Sequence, residues 1–117
     1  MFIEDIQKIC LQLPGVTEEI KWGHDLVFSI GKKMFCVVGL EKNPVNASFK
    51  VNDEEFELLP EREGFIPAPY MARYKWIYVD DINRMGKKEW QKYLKQSYDL
   101  IYAKLPLKLR KEIEGKK

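Results

Sequence analysis

The sequence predicts an α+β fold in which an antiparallel β-sheet is covered on one face by an N-terminal and a C-terminal helix. Near both ends of the chain, apolar residues recur at three- and four-residue steps, as in amphipathic helices. Between them, short apolar segments are separated by turns that contain Gly, Asn or Pro, as in antiparallel strands. A sheet with one apolar face needs a cover, so we expect the two helices to pack side by side on it.

The first half of the chain predicts one helix followed by a four-stranded meander. An apolar stripe covers residues 2–13, Glu4 and Asp5 favour the helix N-terminus through the helix dipole, and Pro14 ends the helix. Short turns join the next four segments, which predicts antiparallel neighbours. The predicted strands are residues 19–22, 26–30, 34–40 and 45–51, and the last of these alternates between an apolar face (Ala47, Phe49, Val51) and a polar face (Ser48, Lys50).

The second half predicts a short helix, a loop, a strand and a long helix. Asn52 is a predicted N-cap with Glu55 as its capping-box partner. Residues 60–69 contain three prolines and one glycine, which favours a loop, and residues 76–79 form the last predicted strand. The final long helix is predicted from Gly86 to Pro106, with Trp90 and Leu94 on its apolar stripe, followed by a short basic segment, residues 107–114, that is compatible with a helix.

Length and composition predict a single domain over residues 1–117. The chain lacks an apolar run long enough to span a membrane and a signal-peptide pattern, so we expect a cytoplasmic, monomeric protein. Cys10 and Cys36 do not form a CxxC motif, and we interpret them as buried free thiols of a reducing compartment. No metal site or cofactor is predicted.

Basic charge is concentrated in the last third of the chain. Residues 1–83 contain nine Lys and Arg against fourteen Asp and Glu, whereas residues 84–117 contain eleven against four. Two interpretations fit: an anionic partner at one end of the molecule, or a solvated helix followed by a lysine-rich tail.

Catalytic chemistry has little support in the sequence. The one histidine, His24, adjoins Asp25, but a His–Asp pair needs a placed nucleophile and an oxyanion site to form a triad. No glycine-rich phosphate loop occurs. We therefore predict no catalytic residue and a protein that is not an enzyme, with a structural role or a ligand contact for His24.

Residues 64–76 form the most unusual segment. This stretch, GFIPAPYMARYKW, places four aromatic residues, two prolines and two cations within thirteen residues. Aromatic side chains interleaved with cations can stack on bases and hold phosphates, and prolines would order the loop before binding. The alternative is an ordered loop whose aromatic residues close the edge of the core.

Several short motifs in order resemble the MmcQ/YjbR family. They are LQLPGV at 11–16, WGH at 22–24, VFSIGKKMF at 27–35, PAPY at 67–70, KW at 75–76, SY at 97–98 and AKLP at 103–106. The resemblance covers roughly residues 9–110 and implies a CyaY-like (frataxin-like) fold and DNA binding. Members often carry a GYHLNK-like run before the tryptophan. Here Tyr70, Lys75 and Trp76 match, but the His and Asn are absent, so contacts of those side chains are not transferred. The first helix offers only Glu4 and Asp5, so the acidic ridge of frataxins and its iron site are not expected.

The leading hypothesis from the sequence is weak, non-specific DNA binding, with a protein- or small-ligand-binding adaptor as the alternative. In the first case, predicted phosphate contacts are Arg73, Lys75, Lys87, Lys88, Lys108, Arg110 and Lys111, and predicted stacking residues are Tyr70, Tyr74, Trp76 and Trp22. In the second, an apolar groove would be lined by Trp22, His24, Tyr70 and Trp76.

Overall fold

The structure, a computed structural model, describes residues 1–115 and contains the predicted elements with one additional strand. Its helices span Ile3–Leu11 (α1), Asp53–Leu58 (α2), Lys87–Tyr102 (α3) and Leu107–Glu114 (α4). Its strands span Thr17–Lys21 (β1), Asp25–Ile30 (β2), Lys33–Gly39 (β3), Asn46–Lys50 (β4), Phe65–Pro67 (β5) and Trp76–Val79 (β6). The basic segment after Pro106 is therefore helical.

The strands form one antiparallel sheet in the order β1-β2-β3-β4-β6-β5. β1 to β4 are the predicted meander, and β6 pairs with β4 so that Lys50 lies opposite Trp76 and Ser48 opposite Tyr78. A bulge in the β2–β3 pairing lies at Phe28 and Ser29, which shifts the register by one residue. The α+β prediction with an antiparallel sheet is confirmed.

The prediction of a continuous loop over residues 60–69 is wrong. Leu59–Glu61 form a 3-10 turn, and Phe65–Pro67 form the edge strand β5 on β6. The prolines obscured this strand, because proline lacks the amide hydrogen that a central strand needs. Pro67 is tolerated at the end of an edge strand, where one side of the ladder faces solvent.

The two long helices pack against each other on one face of the sheet, as predicted. α1 contacts α3, and α3 lies across β2, β3 and β4. Ile6 of α1 and Trp90 of α3 are fully buried there with Phe28 and Phe49 of the sheet, and the Trp90 ring contacts Phe49 edge-on at 5.6 Å. We call this side of the sheet the helix face and the opposite side the outer face.

The predicted N-cap of α2 is confirmed, but the capping box is only half formed. The Asn52 side chain accepts a hydrogen bond from the Glu55 backbone N–H at 2.8 Å. The Glu55 carboxylate points instead to α3, where it accepts from the Tyr93 hydroxyl at 3.1 Å. The Asn52 N–H donates to the Gln96 side chain at 3.3 Å, so α3 supplies the missing acceptor.

Both cysteines are buried and free, as predicted. Their thiols contact each other between α1 and β3, and this hydrogen bond together with burial raises the pKa of Cys10. Within residues 1–115, no helix has the length and apolar character needed to cross a bilayer.

Candidate ligand-binding groove

The outer face of the sheet carries a groove with an apolar floor. Because side chains alternate along a strand, the residues between the core positions of β3, β4 and β6 point to this face. Val37, Ser48, Trp76 and Tyr78 thus form the floor, and the loop that follows β5 forms one wall. The cavity has a volume of about 470 Å³. We call it the aromatic groove.

Two exposed aromatic residues stand at the rim of the aromatic groove. Trp22 is 62% exposed and Tyr70 is 98% exposed. Both have positive backbone φ, 55° for Trp22 and 67° for Tyr70, a region that costs a non-glycine residue roughly 1–2 kcal/mol. Such strain is concentrated at binding and active sites in proteins.

Trp22 takes this conformation because of the hairpin between β1 and β2. The His24 N–H donates to the Lys21 carbonyl at 3.2 Å, and the two residues between them, Trp22 and Gly23, both have positive φ. This is the requirement of a type I′ turn, in which Asn-Gly is usual. The structure corrects the predicted strand 19–22, since Trp22 lies in the turn.

The loop that carries Tyr70 is held by its own backbone. The Ala68 N–H donates to the Trp76 carbonyl at 2.9 Å, and the Met71 N–H donates to the Ala68 carbonyl at 3.1 Å. Lys75, at φ 64°, ends the 3-10 turn Ala72–Tyr74 and returns the chain to β6. These backbone hydrogen bonds order the loop, which lowers the entropy that binding of a ligand would cost.

A second cavity, lined by three lysines, continues from the aromatic groove. It has a volume of about 540 Å³ and shares Met34, Met71 and Trp76 with the groove. We call it the lysine cavity. Its cations come from three distant parts of the chain, namely Lys33 at the start of β3, Lys50 at the end of β4 and Lys104 just after α3.

Lys50 is an unusual lysine because it is only 7% exposed. Its Nζ donates to the Tyr74 backbone carbonyl. Burial lowers the pKa of Lys50, and the neighbouring charge of Lys104 lowers it further. Among residues 1–115, neither of these lysines nor Lys33 forms a salt bridge. The charge of Asp53, which lines the neighbouring cavity, partly offsets the lowering of the Lys50 pKa, so the lysine cavity holds net positive charge that is only partly compensated.

Three of the predicted nucleic-acid contacts lie next to the lysine cavity. Arg73, Tyr74 and Lys75 line a cavity of about 320 Å³ that is also lined by Lys50, Lys104 and one carboxylate, Asp53. The Arg73 guanidinium lies over the Tyr74 ring at 5.1 Å, which orients both side chains. Of the other predicted stacking residues, Tyr70 and Trp22 are exposed at the rim of the aromatic groove. Trp76 is only 3% exposed and forms part of the groove floor.

The remaining predicted phosphate contacts lie elsewhere. Lys87 and Lys88 are the first residues of α3, which has 16 residues. The lysine cavity lies near the other end of this helix, about 22 Å away. Lys108, Arg110 and Lys111 belong to α4, which packs through Ile113 close to Gly15. The predicted cations therefore do not all converge on the aromatic groove.

The prediction that His24 lines the groove is wrong: His24 belongs to a neighbouring cavity, whereas Asp25, its side-chain partner, lines both that cavity and the aromatic groove. The His24 Nδ1 lies 3.0 Å from Asp25 Oδ1, and both line a small cavity of about 160 Å³ with Tyr78. No Ser, Thr or Cys side chain lines this cavity within the described chain. Likewise, no group of three or more His, Cys, Asp or Glu side chains with metal-binding proximity occurs in residues 1–115.

Sequence reasoning missed the three lysines of the lysine cavity. The alternation of β4 placed Lys50 on the face opposite Ala47 and Phe49, which is the signal that could have identified it. Lys33 and Lys104 gave no such signal, because their proximity depends on how α3 docks on the sheet.

A model of the YjbR family matches residues 11–100. The chain belongs to the YjbR family. This confirms the resemblance found from the sequence motifs, and the match includes Trp22, Lys33, Lys50 and Tyr70.

Two solved structures show the same fold as this YjbR-family chain. Protein DR2400 of Deinococcus radiodurans is 23% identical, with a TM-score of 0.85, 96% of this chain covered and 87% of the other. A protein from Pseudomonas syringae is 20% identical, with a TM-score of 0.70, 86% of this chain covered and 98% of the other. No curated protein sequence matches the chain. The comparisons therefore establish the family and the fold.

Proposed function

We propose that this YjbR-family domain binds single-stranded nucleic acid, weakly and without sequence preference, along the aromatic groove and the lysine cavity. The observation that carries the proposal is the continuity of the two cavities through Met34, Met71 and Trp76. Exposed aromatic side chains at one end can stack on bases, and lysines that form no salt bridge among the described residues can contact phosphates at the other. Stacking is largely independent of base identity, which accounts for the absence of sequence preference.

A single strand fits this arrangement better than a duplex. In a duplex, base faces are stacked inside and phosphates form the surface, so aromatic side chains in a groove have little to contact. The predicted phosphate contacts that would extend a positive face, Lys87 and Lys88, lie at the far end of α3. Binding therefore concentrates on one end of the outer face.

A protein or small apolar ligand is the second candidate, because the aromatic groove itself is apolar and preformed. It explains the positions of Trp22 and Tyr70 but leaves the three lysines of the lysine cavity without a role. Both candidates are binding functions. We propose binding rather than catalysis because, among residues 1–115, the cavity of the His24–Asp25 pair is lined by no Ser, Thr or Cys side chain that could complete a triad.

The test is fluorescence anisotropy with a labelled oligo-dT strand and a duplex of equal length at low salt. We expect the strand to bind more tightly than the duplex. Trp22→Ala and Tyr70→Ala should each weaken strand binding by roughly 5- to 150-fold, since one stacked base contributes about 1–3 kcal/mol. Phe2→Ala is the control, because Phe2 is an exposed aromatic residue at the start of α1.

Absence of strand binding at low salt would exclude nucleic acid as the ligand. Equal affinities of Trp22→Ala, Tyr70→Ala and Phe2→Ala for the strand would place binding outside the aromatic groove.

A further inference from the structure

The lysine cavity has the geometry of an oxyanion site. Lys33, Lys50 and Lys104 line one cavity of about 540 Å³, and the side chains between them are apolar or aromatic, among them Ile101 and Met71. No carboxylate lines this cavity in the part of the chain that the structure describes. Low-dielectric walls strengthen the attraction between a bound anion and the ammonium groups.

The burial of Lys50 favours the binding of an anion in the lysine cavity. Lys50 is more than nine-tenths buried, and its only hydrogen-bond acceptor among the described residues is the Tyr74 carbonyl. Its ammonium group can donate three hydrogen bonds, so two remain for a ligand. Lys104 adds electrostatic repulsion that lowers the pKa of Lys50, and an oxyanion placed between the two ammonium groups would remove this penalty.

We propose that Lys33, Lys50 and Lys104 bind a phosphate monoester. A monoester carries about two negative charges at neutral pH, whereas an internal phosphodiester carries one. Three ammonium groups that form no salt bridge among residues 1–115, opposed only by the more distant charge of Asp53, favour the higher charge. This inference deepens the proposed function: the monoester would be the terminal phosphate of a strand whose next bases lie in the aromatic groove beyond Met71 and Trp76.

The first experiment uses inorganic phosphate, so that it does not depend on nucleic-acid binding. Calorimetric titration at constant ionic strength should show saturable phosphate binding to the wild-type protein. Lys104→Gln should weaken it by roughly 10- to 150-fold, because the phosphate loses one hydrogen bond to a charged group. Lys104→Arg should retain binding. Lys104 is exposed, so its substitution leaves the core intact.

The control is Lys8→Gln, which removes an equal charge from the exposed surface of α1 on the helix face. It should bind phosphate as the wild type does. The proposal is overturned if Lys104→Gln and Lys8→Gln bind phosphate equally, or if acetate binds as tightly as phosphate.

The second experiment compares a 5′-phosphorylated strand with the same strand lacking that phosphate. We expect the phosphorylated strand to bind roughly tenfold more tightly, and Lys104→Gln to abolish the difference. If both strands bind equally, the terminal phosphate is not recognised and the monoester proposal fails, although strand binding itself stands. If neither strand binds but phosphate binding depends on Lys104, the monoester site stands and the nucleic-acid function fails.

Discussion

At the scale of single residues, Trp22 combines properties that rarely occur together. It is large and apolar, mostly exposed, and held at a φ of 55°. Asn or Gly would satisfy the same turn with less strain. A tryptophan that makes the hairpin less stable without filling the core is more easily explained by a contact with a ligand than by a contribution to folding.

Trp22→Asn is therefore expected to stabilise the protein by about 0.5–1 kcal/mol and to weaken strand binding. Urea unfolding measures the first effect and anisotropy the second. Lys32→Asn is a matched control for stability, because Lys32 also has positive φ (67°) in the turn between β2 and β3. A Trp22→Asn protein that is less stable than the wild type would show that packing of the indole outweighs the strain.

At the scale of elements, Ser97 connects α3 to the sheet. Its hydroxyl donates to the Phe35 carbonyl at 2.6 Å and accepts from the Lys50 N–H at 3.0 Å. Phe35 lies in β3 next to the β2–β3 bulge, and Lys50 is the last residue of β4. One side chain of α3 therefore satisfies a backbone carbonyl of β3 and a backbone N–H of β4. Ser97 is fully buried. It thus fixes the backbone of the strand that carries Lys50 into the lysine cavity.

Ser97→Ala is expected to lower the free energy of unfolding by about 2–4 kcal/mol, because it leaves two buried backbone groups without partners. Thermal or urea unfolding measures the change. Ser48→Ala is the control: Ser48 lies on the half-buried groove floor, has no side-chain hydrogen bond among residues 1–115, and should change stability by less than about 0.5 kcal/mol. Equal losses in the two variants would contradict the bridging role of Ser97.

At the scale of the whole molecule, the fold separates structural from binding surfaces. α1 and α3 occupy one face of the sheet, the loop after β5 shapes the other, and the end of α3 meets that loop at the lysine cavity. Five cations line the two basic cavities of that end: Lys33, Lys50, Arg73, Lys75 and Lys104. The net charge of only +2 therefore conceals a local concentration of positive charge.

This distribution predicts the salt dependence of binding. A strand that contacts three to five cations should show a slope of log affinity against log salt of about −2 to −3.5, so affinity should fall roughly 20- to 130-fold between 50 and 200 mM salt. Lys104→Gln should make the slope shallower by about 0.7. A slope near zero in an anisotropy titration would mean that phosphates are not the groups bound.

The sequence by itself determined the local structure and the faces of the elements. Apolar periodicity identified α1, α3 and the four strands of the meander, and the alternation in β4 correctly separated Phe49 from Lys50. These predictions succeeded because side-chain periodicity follows from local backbone geometry. The same reasoning missed β5 because of the prolines at 67 and 69. This segment is a strand because it pairs with β6, and local sequence does not show that pairing.

Only the tertiary structure decided which residues meet. β6 enters the sheet between β4 and β5, and α3 ends beside the β2–β3 turn, so Lys33, Lys50 and Lys104 converge from positions far apart in the chain. Of the four predicted groove residues, Trp22, Tyr70 and Trp76 line the aromatic groove, whereas His24 lines the neighbouring small cavity. The lysines of the lysine cavity were not predicted. Strand order and helix docking are long-range consequences of burying one common core, and no local pattern encodes the distances that result.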